Sequence, residues 1–132
     1  MQAFAEALPL DSSITELRID HNDCCEHFST LLKKLSSLKE LRFNTRLVAQ
    51  RLKSRGVDMI ADALQESSAI EQISCDVEAI ESQALARLAG CRSLEVLELS
   101  GESLGQKGVE ALEQGFSKQQ ALKRLSLRCC GL

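Results

Sequence analysis

Four residues crowded into one short stretch, His21, Cys24, Cys25 and His27, are the side chains here that best fit metal chemistry. Zinc takes four ligands at the corners of a tetrahedron, and closed sites draw paired ligands from two separated segments. All four of these sit together with no second pair nearby in sequence, and Cys24 occupies a position held elsewhere by Leu104 and Leu132. The competing reading, a buried Cys24 with solvated His21 and His27, is the one expected, with no metal. The neighbours Cys129 and Cys130 form a vicinal pair of the kind that closes a strained disulfide in redox control, but Cys130 also falls on a repeating turn position. No nucleophile, base and orienting group can be assembled. There is no Gly-x-Ser-x-Gly and no HExxH, and Gly101, Gly105 and Gly108 lack the Lys-Ser/Thr that a phosphate loop requires. The expectation is a protein that is not an enzyme and carries no cofactor.

The elements that position these residues follow from an apolar signature that returns five times: Ile14-Leu17-Ile19, Leu38-Leu41-Phe43, Ile70-Ile73-Cys75, Leu94-Leu97-Leu99 and Leu122-Leu125-Leu127. Its first members stand at 14, 38, 70, 94 and 122, in steps of 24, 32, 24 and 28 residues. Within each copy the residues alternate like a half-buried strand, so Leu97 and Leu99 point inward while Val96, Glu98 and Ser100 point out. Six residues before each copy stand Leu8, Leu32, Leu64, Leu88 and Phe116; ten before stand Phe4, Phe28, Ile60, Ala84 and Leu112. These two columns are four residues apart, on one face of a helix preceding every strand. Because a helix returns the chain between strands, successive strands must run parallel. Helices are about 10 Å wide and strands about 4.8 Å apart, so the stack must curve. The result is an α/β solenoid of four to five units in a single domain over residues 1–132, each unit stacking on its neighbours.

At these residues the chain resembles the leucine-rich-repeat family, and within it the longer, helix-bearing, ribonuclease-inhibitor-like class. The best matches are LEVLELSGESL from Leu94 to Leu104, followed by GQKGVEALEQGF, and LKRLSLRCCGL from Leu122 to Leu132. The resemblance implies a curved parallel sheet inside and helices outside; it does not imply one task, because the fold hosts many. The family usually sets Asn or Cys three residues after the second strand leucine. Here that column reads Asn22, Arg46, Glu78, Glu102 and Cys130. Burying an unpaired charge is expensive, so Arg46, Glu78 and Glu102 are expected to lean into solvent, with looser turns there.

Composition narrows the roles. The 132 residues carry a net charge of −3, 44% hydrophobic residues and six cysteines. That charge gives no reason to expect nucleic acid, and no apolar run is long enough to cross a bilayer. Cys75 replaces a core strand leucine, Cys24 a turn leucine and Cys130 a turn-column residue. The expectation is reduced thiols in a reducing, cytoplasmic compartment. Met1 to Leu10 reads as the helical half of an earlier unit, and Leu132 stops just after a strand. That suggests a piece of a longer array, or a protomer that covers uncapped ends by self-association.

The expected binding surface is the concave wall, where a protein partner meets the outward strand residues Glu16, Arg18, Asp20, Glu40, Arg42, Asn44, Gln72, Ser74, Asp76, Glu98, Arg124 and Arg128, among which lie Val96, Ser100 and Ser126. Parallel stacking places Arg18 beside Arg42, a like-charge pair offset on the diagonal by Glu16 and Glu40. The plain alternative is a solvated, self-compensating surface. There is no Trp or Tyr to anchor an interface, so affinity must come from polar and charged contacts. A rival surface is the basic insertion at 49–55, which gathers Arg51, Lys53 and Arg55 near Arg46; its bland counterpart is an extra solvated helical turn. The leading functional expectation is a non-enzymatic protein-interaction module. The alternative is a regulatory or sensing segment of a larger intracellular receptor-like protein or pathogen effector, a reading that rests on the resemblance.

Overall fold

The computed structural model describes residues 6–7, 13–19, 25–43, 61–62, 64–65, 69–76, 82–101 and 104–128. Five strands run in chain order across one sheet: β1 (Glu16–Ile19), β2 (Glu40–Phe43), β3 (Gln72–Asp76), β4 (Val96–Ser100) and β5 (Arg124–Arg128). Every neighbouring pair is parallel. Three helices are bounded by described residues: α1 (Cys25–Lys34), α2 (Ser82–Ala89) and α3 (Gly105–Phe116). The molecule is therefore α/β, with helices carrying the chain between parallel strands as such a sheet requires.

The register aligns the repeated residues. Leu17, Leu41, Ile73, Leu97 and Leu125 form one row across the sheet, and Ile19, Phe43, Cys75, Leu99 and Leu127 form another. Leu41, Ile73 and Leu97 are completely buried, and Cys75 and Leu99 nearly so. Helix residues meet them from the same side: Leu31, Leu32 and Leu35 around the end of α1, Ala84, Leu85 and Leu88 in α2, and Ala111 and Leu112 in α3 all belong to the same buried cluster. The helix columns at 32, 64, 84, 88 and 112 are thus core positions. Phe116 packs partly buried against them, while Phe4, Leu8 and Ile60 lie outside the described residues.

The row is not buried along its whole length as expected, and Leu125 departs furthest. Leu125 is 41% exposed, against 0% for Leu41, Ile73 and Leu97 in the same row. The cause is position, because among the described residues β5 has a neighbouring strand on one side only. Leu122 and Leu127 are likewise only partly buried, as are Ile14 and Leu17 at the opposite edge.

Backbone hydrogen bonds repeat from strand to strand. The carbonyl of Thr15 accepts from the N–H groups of Lys39 and Glu40, that of Lys39 from Glu71 and Gln72, that of Glu71 from Glu95 and Val96, and that of Glu95 from Lys123 and Arg124. Each strand from β2 to β5 is thus entered through the same two-donor contact with the residue that precedes the strand before it. The turn ahead of the strand is shared too, since Leu38 N–H donates to the Leu35 carbonyl and Leu94 N–H to that of Cys91. Ahead of β5 a side chain takes over: Gln119 Oε1 accepts from Ala121 N–H at 2.8 Å and from Leu122 N–H at 3.0 Å, while its Nε2 donates to the Ala89 carbonyl at 3.3 Å.

The helices approach closely where side chains are small. A Cβ added at Gly115 of α3 would stand 2.6 Å from the Ala86 carbonyl oxygen and 2.6 Å from Ala89 Cβ. Arg87 of α2 pairs on its other flank with Asp62. At the start of α3, Gly105 adopts φ +61° in open space, a conformation that L-residues adopt only with strain.

Candidate functional site

The side chains that alternate with the buried rows make the other face of the sheet. One row runs Glu16, Glu40, Gln72, Val96, Arg124; the next runs Arg18, Arg42, Ser74, Glu98, Ser126; a third holds Asp76, Ser100 and Arg128. None of the side chains described in these rows is buried. Nine of the twelve residues expected on the binding wall thus share this face with their side chains described: Glu16, Arg18, Glu40, Arg42, Gln72, Ser74, Glu98, Arg124 and Arg128. Asp76 is placed by register alone, and Asp20 and Asn44 lie outside the described residues.

Arg42 organises one end of the face. Its Nε lies 2.6 Å and its Nη2 2.5 Å from Glu40 Oε1, and its Nε lies 3.9 Å from Glu16 Oε1. Gln72 Nε2 donates to the same Glu40 oxygen at 3.3 Å. Four residues on three strands are therefore linked, Arg42 and Gln72 through the Glu40 carboxylate and Glu16 through Arg42. The hydrogen bond to Glu40 and the charge of Glu40 raise the Arg42 pKa above its ordinary value; Glu16 and Glu98 add to this and desolvation opposes it. Arg18 is the strand neighbour of Arg42, so the like-charge contact expected from sequence exists. The acidic residues offset it on the diagonal and along β2. Part of the charge on this face is thus compensated internally, as the plain alternative requires.

Across the sheet the charge is uneven. Glu16, Arg18, Glu40 and Arg42 mix both signs on β1 and β2, Glu98 is acidic on β4, and β5 presents Arg124 and Arg128 with Ser126 between them. Arg124 and Arg128 are exposed. An approaching surface therefore meets a bonded mixed patch at one end and two cations at the other.

A second polar strip was missed in the sequence. Thr15, Lys39, Glu71, Glu95 and Lys123 each precede a strand, and their side chains pair along the rim: Lys39 Nζ to Glu71 Oε1 at 3.2 Å and Lys123 Nζ to Glu95 Oε1 at 2.9 Å. A shallow depression of about 300 Å³ lies between this strip and the face, lined by Lys39, Glu40, Glu71, Gln72, Glu95 and Val96. Charged residues immediately before β2, β3, β4 and β5 were the signal; alternation counted from the first strand residue did not reach them. Such exposed pairs contribute little stability each, so the strip sets charge pattern more than it holds the fold.

The cysteines divide. Cys75 and Cys91 are buried free thiols, and Cys75 fills the strand position expected of it. Cys91, not singled out by sequence, closes the turn after α2, where its Sγ donates to the Arg87 carbonyl at 3.6 Å. Burial pushes its thiol up to about 11, with the Arg87 charge acting in the opposite direction. The His21–Cys24–Cys25–His27 cluster, the basic insertion at 49–55 with Arg46, the turn-column residues and the Cys129–Cys130 pair all lie outside the residues whose side chains are described. No helix among the described residues is long and apolar enough to cross a membrane.

Comparison with family models, with curated proteins and with solved structures finds no significant match for this chain.

Proposed function

We propose that this chain is a leucine-rich-repeat module of the helix-bearing class, a curved solenoid in one domain, that binds a protein partner through the polar face of its sheet and the adjoining turns without catalysing a reaction. The observation that carries the reading is the row of outward residues from five adjacent parallel strands, none of the described ones buried, held beside one another at strand spacing. Such a surface presents side chains on rigid backbone, where position costs a binding partner little further ordering. The four equivalent two-donor strand entries support the repeat reading, as does the coincidence of strand and helix columns in one core.

The chemistry of the face favours a partner that is polar and carries both signs, with acidic groups opposite Arg124 and Arg128. The absence of Trp and Tyr from the chain makes charge and hydrogen bonding the main source of specificity.

The test reverses charge in the centre of the mixed patch. The double variant Arg18→Glu, Arg42→Glu removes the cation that joins Glu16 and Glu40 and leaves the core residues untouched. Its circular dichroism should match that of the wild type, while capture of interacting proteins falls by about tenfold or more, the loss typical when complementary charges become like charges. Intact folding with unchanged capture would remove this face as the binding surface.

A further inference from the structure

We infer that the depression at the entry of β2, β3 and β4 is a subsite for an arginine side chain of the protein partner. The inference rests on the reading of this face as a protein-binding surface, and it adds which group of the partner enters the face and where.

The depression is built from two consecutive residues on each of three adjacent strands. Glu40, Gln72 and Val96 are register partners at the start of β2, β3 and β4, and Lys39, Glu71 and Glu95 immediately precede them. Two strand spacings make the patch about 10 Å across. Its volume of about 300 Å³ is on the scale of one side chain, at the small end of ligand-sized clefts.

Its hydrogen-bonding inventory is one-sided. The backbone N–H groups of all six residues are engaged in the sheet: those of Lys39 and Glu40 donate to the Thr15 carbonyl, those of Glu71 and Gln72 to the Lys39 carbonyl, and those of Glu95 and Val96 to the Glu71 carbonyl. The side-chain donors of the lining are Lys39 Nζ and Gln72 Nε2, which already bond Glu71 and Glu40 within it. Against them stand three carboxylates. The bonds that Glu40, Glu71 and Glu95 accept from Arg42, Gln72, Lys39 and Lys123 all end on Oε1, whereas a carboxylate offers about four lone-pair sites over two oxygens. Acceptors therefore exceed donors, which disfavours an anion and calls for an occupant rich in donors.

Charge points the same way, because the lining holds three carboxylates and one ammonium. The Lys39 and Lys123 side chains are 62% and 71% exposed in their pairs with Glu71 and Glu95. Such pairs are worth little, so the lysines give way to a better-placed donor at small cost. Val96 separates a long basic side chain from a compact cation. It is the one apolar side chain in the outward rows and is half-buried, so an aliphatic stem can lie on it while the charged head stays among the carboxylates. A guanidinium presents five donors in a planar fork that fits carboxylates and is more weakly hydrated than an ammonium. Arginine therefore fits better than lysine.

The test is a titration of the full chain with N-acetyl-arginine amide at low ionic strength, followed by nuclear magnetic resonance at the Val96 methyl groups and the Gln72 side-chain amide. N-acetyl-citrulline amide, which keeps the shape and lacks the charge, is the control. Both signals should shift and saturate with the arginine probe, and the citrulline probe should bind about tenfold or more weakly. The double variant Glu71→Gln, Glu95→Gln keeps side-chain shape and leaves the core untouched. It should lose about tenfold or more in affinity for the arginine probe, with circular dichroism unchanged. Shifts that do not saturate, that the citrulline probe reproduces, or that persist undiminished in the double variant would each overturn the inference. No partner protein is present, so a failure here is separate from a failure of the capture test on Arg18→Glu, Arg42→Glu.

Discussion

At the scale of single residues, environment decides what a side chain contributes. Cys91 shows this most plainly. It falls outside the strand and helix columns, at the turn position that Leu35 holds before β2, and it is buried at the end of α2 with a thiol pushed up to about 11. Because burial disfavours the thiolate, Cys91 should react with a thiol reagent at neutral pH far more slowly than an unfolded control. The same shift has a stability consequence with a definite sign. The folded-state pKa lies above that of an exposed thiol, ordinarily about 8.5, so the stabilising difference is present at lower pH. Between about pH 8.5 and 11 the unfolded chain releases a proton that the folded chain keeps, and stability falls as pH rises. Urea unfolding across this range should show a decline in the wild type that is shallower in Cys91→Ala, whatever constant stability that variant has lost to the smaller side chain. Equal slopes would contradict the assignment. Leu125 makes the complementary point, because its residue type and its place in the pattern are those of Leu97, and only the neighbouring strand differs.

At the scale of elements, two glycines of α3 separate packing from backbone conformation. Gly115 lies where α3 meets α2, and a methyl group there would press on a backbone oxygen and on Ala89 Cβ. Overpacking typically costs about 1–3 kcal/mol, while exchanging glycine for alanine in a helix returns at most about 1 kcal/mol. Gly115→Ala should therefore lower stability, and Gly115→Val should lower it further. Gly105 has open space around it but φ +61°. Gly105→Ala should cost about 1–2 kcal/mol from the left-handed conformation alone, and Gly105→Asn less, because asparagine visits that region more readily. Chemical denaturation of the four variants checks the distinction. If Gly105→Asn were as damaging as Gly105→Ala, crowding rather than backbone conformation would be the cause. These elements were largely legible in the sequence: strand rows through Leu41, Ile73 and Leu97 and helix columns through Leu32, Leu64 and Leu88 follow from periodicity, which reports which way a side chain points. The close approach at Gly115 was not legible, because it depends on which helix lies opposite.

At the scale of the whole molecule, periodicity identifies a face but leaves open how that face is wired. Nine of the residues expected on the wall share one side of the sheet with side chains described, as alternation demands. The linking of Glu16 to Arg42, and of Arg42 and Gln72 through Glu40, depends on side-chain reach across three strands, which no one-dimensional pattern contains. The charged strip through Lys39, Glu71, Glu95 and Lys123 escaped notice although its residues stand in one column, since it lies one step outside the alternating segment. Edges escape for a related reason: the pattern treats every strand as internal, whereas among the described residues β5 has a neighbour on one side only and Leu125 is exposed there. The proposed docking face and the core both rest on one physical arrangement, the alternation of side chains along parallel strands between a shared apolar interior and open solvent.

That arrangement is tested most directly in β4, where adjacent residues take opposite sides with neighbouring strands on both flanks. Leu97 is fully buried, and Glu98 is on the polar face. Denaturant unfolding of Leu97→Ala and Glu98→Ala, compared with the wild type, should show a loss of roughly 2–5 kcal/mol for the first and a change within about 0.5 kcal/mol for the second. Equal shifts in the two unfolding midpoints would contradict the division into an inward and an outward row.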